Sequence, residues 1–126
     1  MLNPPLISIV DDDDPYRDSI QKLVTLFGYT VEGFASAPAF LGSRFLPETS
    51  CLVADVHMPG MTGIELHERL LAAGHTIPTI LVTAYPDVAV RDRALKAGVV
   101  CYLSKPVDDH ELEQCLLIAL KRAPPI

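Results

Sequence analysis

Short apolar runs and helical stripes take turns along this chain. The runs Leu6-Ile7-Ser8-Ile9-Val10, Cys51-Leu52-Val53-Ala54 and Cys101-Tyr102-Leu103-Ser104 are nearly unbroken. Strands with one wet face alternate apolar and polar positions, whereas strands covered on both faces do not. The pattern predicts strands at about 6–10, 30–34, 51–55, 78–83 and 100–103. Between them Ile20, Leu23, Val24 and Phe27 repeat at helical spacing, with Gly28 as the stop. Leu66, Leu70 and Ala73 form a shorter stripe ending at Gly74, and Leu112, Cys115, Leu116, Ala119 and Leu120 a last one.

Capping residues agree with these boundaries. Asp14 before Pro15 reads as an N-cap with proline at the first helical position. Thr62-Gly63-Ile64-Glu65 and Asp108-Asp109-His110-Glu111 both have capping-box spacing. Asp87 opens a helix from Val88 to Ala97, which Gly98 ends. Alternating strands and helices predict βαβ units, hence one α/β domain of five strands and five helices spanning residues 1–126. The Pro-rich ends, 1–5 and 123–126, read as frayed.

Composition narrows the functional classes. With 49% hydrophobic and 21% charged residues the chain is globular rather than disordered. Its apolar runs fall far short of the roughly 20 residues a membrane span requires, and Met1-Leu2-Asn3-Pro4-Pro5 lacks a signal peptide's basic start. A cytoplasmic protein without a membrane partner is the expectation. The net charge of −6 argues against sequence-independent binding of nucleic acid by this chain itself. Cys51, Cys101 and Cys115 lack zinc-site spacing and fall in apolar stretches, so they read as core residues in a reducing compartment.

The polar residues at the strand ends carry the chemistry. Asp11 and Asp12 follow the first strand, Asp55 ends the third, Thr83 the fourth, and Lys105 follows the fifth. In a parallel sheet of this kind ligands bind beyond the carboxyl ends of the strands, so these five residues meet at one edge. Three carboxylates that close together are costly unless they share a cation. Three carboxylates, one ammonium and one divalent metal sum to zero, an arrangement that asks for a metal and for chemistry on a carboxylate.

Five segments then carry a family resemblance. They are Ile9-Val10-Asp11-Asp12-Asp13, Val53 to Gly63, Leu81-Val82-Thr83-Ala84, Ala94-Leu95-Lys96-Ala97-Gly98 and Tyr102-Leu103-Ser104-Lys105-Pro106. In this order and spacing the chain resembles the receiver domain of two-component response regulators, most closely the FixJ-like branch. The resemblance implies a doubly wound, flavodoxin-like sheet of strand order 2-1-3-4-5. It implies that Asp55 takes a phosphoryl group from a sensor histidine kinase or phosphotransfer protein. Asp11, Asp12 and Asp55, with the backbone carbonyl of His57, would hold Mg²⁺. Thr83 and Lys105 would contact the phosphoryl oxygens, and Thr83 and Tyr102 would form the switch. The family also implies a cis bond between Lys105 and Pro106. His57 and Tyr85 stand where side chains would tune the lifetime of the acyl phosphate. A phosphorylation-dependent homodimer fits the family, and control of transcription would pass through a DNA-binding output domain absent from this chain.

Some residues have plainer readings. Asp13 and Asp14 serve a helix start, and Tyr102 also suits ordinary strand packing. Imidazole is a poor partner for Mg²⁺, so the His57 ring reads as exposed, and His67, His75 and His110 are assigned to surfaces. Two regulators compete within the family reading, one with an output domain and one that stands alone. Outside it stand a pseudo-receiver that has lost phosphorylation and a Mg²⁺-dependent phosphatase of the haloacid-dehalogenase kind. Against the phosphatase, Asp11-Asp12-Asp13-Asp14-Pro15 lacks that family's final motif residue and the chain has no room for a cap domain. The chain is therefore expected to catalyse only its own phosphorylation and dephosphorylation.

Overall fold

A computed structural model describes residues 4–122. The frayed ends expected at 1–3 and 123–126 lie outside the described residues. Pro5, also read as frayed, is tied down, its carbonyl accepting the Thr30 N–H at 3.1 Å. The elements run β1 (Leu6–Val10), α1 (Asp14–Leu26), β2 (Thr30–Phe34), α2 (Ala37–Leu41), β3 (Thr49–Asp55), α3 (Gly63–Ala72), β4 (Thr79–Thr83), α4 (Val88–Lys96), β5 (Cys101–Ser104) and α5 (Asp109–Arg122). A 3-10 turn at Leu46–Glu48 precedes β3.

All pairings are parallel, in the order β2-β1-β3-β4-β5. Two-residue alternation divides the side chains between two cores. Ile7, Ile9, Cys51, Val53, Ile80, Val82 and Leu103 pack with Ile20 and Val24 of α1 and Leu112, Cys115, Leu116 and Ala119 of α5. Val10, Leu52, Ala54 and Leu81 pack on the other face with Phe40 of α2, Leu66 and Leu70 of α3 and Ala94 of α4. Both faces of the central strands are thus covered, as their unbroken apolar runs require. Cys51 and Cys115 are buried, and none of the three cysteines is in a disulfide. Burial pushes the Cys115 thiol up to about 12, which keeps it protonated and unreactive.

Several boundaries differ from the expected ones. β3 starts two residues early because Thr49 is buried and engaged, its hydroxyl 2.7 Å from that of Ser8 and donating to the Phe45 carbonyl. The N-cap of α1 is Asp13, not Asp14. Asp13 Oδ1 accepts the Tyr16 N–H at 3.1 Å, which moves Pro15 one place into the first turn and frees Asp14 to pair with Arg17. The Thr62–Glu65 box is complete in both directions. Of the second box only the Glu111 N–H to Asp108 bond is formed. His67, expected on the surface, is 4% exposed and lies in the buried stripe of α3 in place of Ala73, which is the exposed C-cap. Among the described residues, no helix is long and apolar enough to cross a membrane.

Candidate functional site

The order of strands reverses at β1, which pairs with β2 on one side and β3 on the other. A cleft opens beyond the carboxyl ends of such strands. Asp11 is the first residue after β1 and Asp55 the last of β3, so parallel pairing of Val10 with Ala54 brings them side by side. Ligand oxygens of Asp11, Asp12 and Asp55 all lie within 4.8 Å of one another. Asp11 and Asp55 are buried and Asp12 is exposed. Lys105 enters from beyond β5, its Nζ donating to Asp11 Oδ2 at 3.0 Å and lying 3.7 Å from Asp55 Oδ2. The peptide bond between Lys105 and Pro106 is cis.

The electrostatics follow from this crowding. Burial and the neighbouring Asp11 charge raise the Asp55 carboxyl above the usual range, against the pull of Lys105 and of the His57 backbone. Burial alone would lower the Lys105 ammonium. The hydrogen bond and charge of Asp11, joined by Asp55, outweigh it and hold the group protonated. Three carboxylates and one ammonium leave the cleft two negative charges in excess, which a divalent cation would neutralise. The donor set is all oxygen and partly open to water, as Mg²⁺ prefers.

Thr83 and Tyr102 belong to the opposite side of the sheet. Alternation puts Asp55 on the α1–α5 face with Val53, and Thr83 and Tyr102 on the other face with Leu81. Thr83 is fully buried at the end of β4, and its hydroxyl accepts the Tyr85 N–H at 3.0 Å. Tyr102 is half-buried, and its hydroxyl accepts the Asp87 N–H at 3.3 Å. Asp87 is in turn the N-cap of α4, accepting from Ala89 and Val90. The loop 84–87 is therefore held at one end by Thr83 and at the other by Tyr102. A groove of about 380 Å³ lies beside this ring, lined by Pro86, Asp87, Val88, Arg91 and Ser104. His57 and Tyr85, both exposed, meet edge to face with ring centroids 5.5 Å apart.

A family model described as the response regulator receiver domain matches residues 7–117. The chain is a response regulator receiver domain. Among known members, this receiver is 36% identical over 119 residues to the response regulator protein TodT of Pseudomonas putida, covering 94% of this chain and 52% of that one. It is 39% identical over 121 residues to the transcriptional regulatory protein FixJ of Bradyrhizobium diazoefficiens, covering 94% and 58%. Its backbone matches the crystal structure of FixJ-N with a TM-score of 0.87 at 33% identity, over 99% of this chain and all of that one. The receiver spans about half the length of the curated relatives it matches.

Two residues absent from the sequence reading also border the cleft. Arg17 Nη1 donates to the Asp11 carbonyl at 2.7 Å while Nη2 pairs with Asp14. The Tyr16 ring faces the Lys105 ammonium at 4.2 Å. Both sit in the first turn of α1, immediately after the acidic run, and that position was the available signal. Gly63 also matters more than its place in the capping box suggested, because a Cβ there would collide with the Asp55 carbonyl.

Proposed function

We propose that this receiver takes a phosphoryl group onto Asp55 from the phosphohistidine of a sensor histidine kinase or a phosphotransfer protein. The observation that carries this reading is the meeting of Asp11, Asp12, Asp55 and Lys105 in one cleft. An Asp55 carboxylate oxygen attacks phosphorus, the P–N bond to the donor imidazole breaks, and an acyl phosphate and free histidine result. Phosphoryl transfer needs positioning and charge neutralisation above all. Lys105, already 3.7 Å from Asp55 Oδ2, balances the charge of the transferred group. Asp11, Asp12, Asp55 and the His57 carbonyl would hold Mg²⁺, which when bound supplies charge neutralisation at the phosphoryl oxygens.

The phosphoryl group gives the Thr83 hydroxyl a new acceptor. Thr83 then draws loop 84–87 toward the cleft, and Tyr102 follows through Asp87. A ligand shifts a two-state equilibrium only through contacts that differ between the states, and the Thr83 and Lys105 bonds are those contacts here. The surface of α4, β5 and α5, with Arg91, Arg93 and Lys96 exposed on or near it, changes shape and presents a phosphorylation-dependent interface, such as a homodimer. His57 and Tyr85 form an edge-to-face pair at the mouth that screens the acyl phosphate from water. The protein works in the cytoplasm, and transcription is reached through an output domain outside this chain, by analogy with FixJ.

The test is intact mass after incubation with phosphoramidate and Mg²⁺. Wild type gains one increment of about 80 Da and Asp55→Asn none. A wild type that gains nothing refutes the proposal and favours a receiver that only binds. Multiple turnover of a small phosphate ester would favour the phosphatase instead.

A further inference from the structure

Lys105 has three neighbours that matter electrostatically, two carboxylates and one aromatic face. Asp11 Oδ2 lies at 3.0 Å, Asp55 Oδ2 at 3.7 Å and the Tyr16 ring centroid at 4.2 Å. Both Asp11 oxygens are already engaged, since Oδ1 accepts the Asp13 N–H at 2.9 Å. Ligand oxygens of Asp11, Asp12 and Asp55 lie within 4.8 Å of one another, so a cation bound there would draw the Asp11 carboxylate toward itself. It would then compete with Lys105 for its shortest contact, just before Lys105 is needed at the phosphoryl group. Tyr16 gives up nothing to a cation in that position.

We propose that Tyr16 is a positioning residue, whose ring face holds the Lys105 ammonium at the cleft when Asp11 turns to the metal. This rests on the reading of Asp55 as the phosphoacceptor. A cation is attracted to the negative face of an aromatic ring within about 6 Å of its centroid. The ring itself is well anchored. Its backbone N–H is held by the N-cap Asp13, and Arg17, the next residue, clasps the Asp11 carbonyl. The side chain is half-buried beside Pro106 and Val107. The Tyr16 hydroxyl lies near the Val107 backbone but makes no bond of ordinary geometry, so the ring and not the hydroxyl does the holding. An aliphatic side chain of similar size would fill the space without attracting the charge.

The test compares Tyr16→Phe with Tyr16→Leu in two measurements. In phosphorylation by phosphoramidate with saturating Mg²⁺, Tyr16→Phe should stay within about twofold of wild type and Tyr16→Leu should fall about three- to tenfold, the range of a partly desolvated cation–π contact. In the unphosphorylated protein the Lys105 ε-methylene NMR signal should be shifted upfield by the ring. That shift should persist in wild type and Tyr16→Phe at saturating Mg²⁺. Equal rates in wild type and Tyr16→Leu overturn the proposal, as does equal loss in both variants or an upfield shift that Mg²⁺ abolishes. If wild type takes up no phosphoryl group, the reading of Asp55 falls while the Lys105 signal still decides the role of Tyr16.

Discussion

Replacing Asp55 by Asn should stabilise this protein when no metal is present. The Asp55 carboxylate faces oxygens of Asp11 and Asp12 within 4.8 Å and the Lys105 ammonium at 3.7 Å. At an effective dielectric constant of about 20, these distances correspond to roughly 3.5 kcal/mol of repulsion per carboxylate and roughly 4.5 kcal/mol of attraction. Asp12 is exposed, so solvent screening reduces its share to about half. Repulsion then exceeds attraction by somewhat under about 1 kcal/mol, and burial adds its own cost to the ionised form. Asparagine keeps the shape and sheds the charge, for a net gain of about 1–2 kcal/mol. Unfolding entropy of about 2.1 cal/mol/K per residue converts this into a rise in Tm of roughly 4–8 °C for a chain of this length. The sign also fixes the pH dependence. The folded carboxyl titrates above its unfolded value, so the penalty is present at neutral pH, shrinks as pH falls below the raised value and is gone below the unfolded one. Calorimetry in chelator at pH 7.5 and pH 4 checks both points. An Asp55→Asn protein that melts at or below wild type at pH 7.5 would refute the charge-frustration argument.

Thr83→Ala removes the acceptor of the part-buried Tyr85 N–H and should cost about 1 kcal/mol, while Asp55 still takes up phosphoryl groups. Its phosphorylation-dependent dimerisation or chemical-shift change should be lost and restored by Thr83→Ser; full switching in Thr83→Ala contradicts the coupling. Gly63→Ala forces a methyl group against the Asp55 carbonyl and should destabilise by about 1–3 kcal/mol, as overpacking does, with slower phosphorylation by phosphoramidate. Burial lowers the His67 imidazole, so the unfolded chain takes up the proton first and stability falls as pH drops below about 6.5. The loss in denaturant midpoint between pH 7.5 and 5.5 should be smaller for His67→Leu than for wild type.

The sheet and the place of its acidic cleft were legible because both are written in period and position. Unbroken β-branched runs mark strands buried on both faces, and the residues that follow such runs share an edge. That reasoning brought Asp11, Asp12, Asp55 and Lys105 together without coordinates; it also set Thr83 at this edge, where the structure buries it on the opposite face. Part of what it missed depends on contacts between elements distant in sequence, and part on local ambiguity. His67 looks like any polar residue of an exposed helix until the packing of α3 places it inside. The Asp13 cap could not be told from Asp14, because four successive aspartates offer the same side chain at every candidate position. The Tyr16 ring meets Lys105 only because the segment after β5 reaches back to the first turn of α1. The short α2 has five residues, too few for a helical stripe to stand out.

The central claim is that this cleft puts phosphorus on one particular carboxylate. Borohydride reduction of the phosphorylated protein turns an aspartyl phosphate into homoserine, and peptide mass spectrometry then locates it. Homoserine at position 55 alone, and none in protein prepared without Mg²⁺, is the expected result. Homoserine at position 11 or 12, or a phosphoryl group that survives reduction on another residue type, would contradict it.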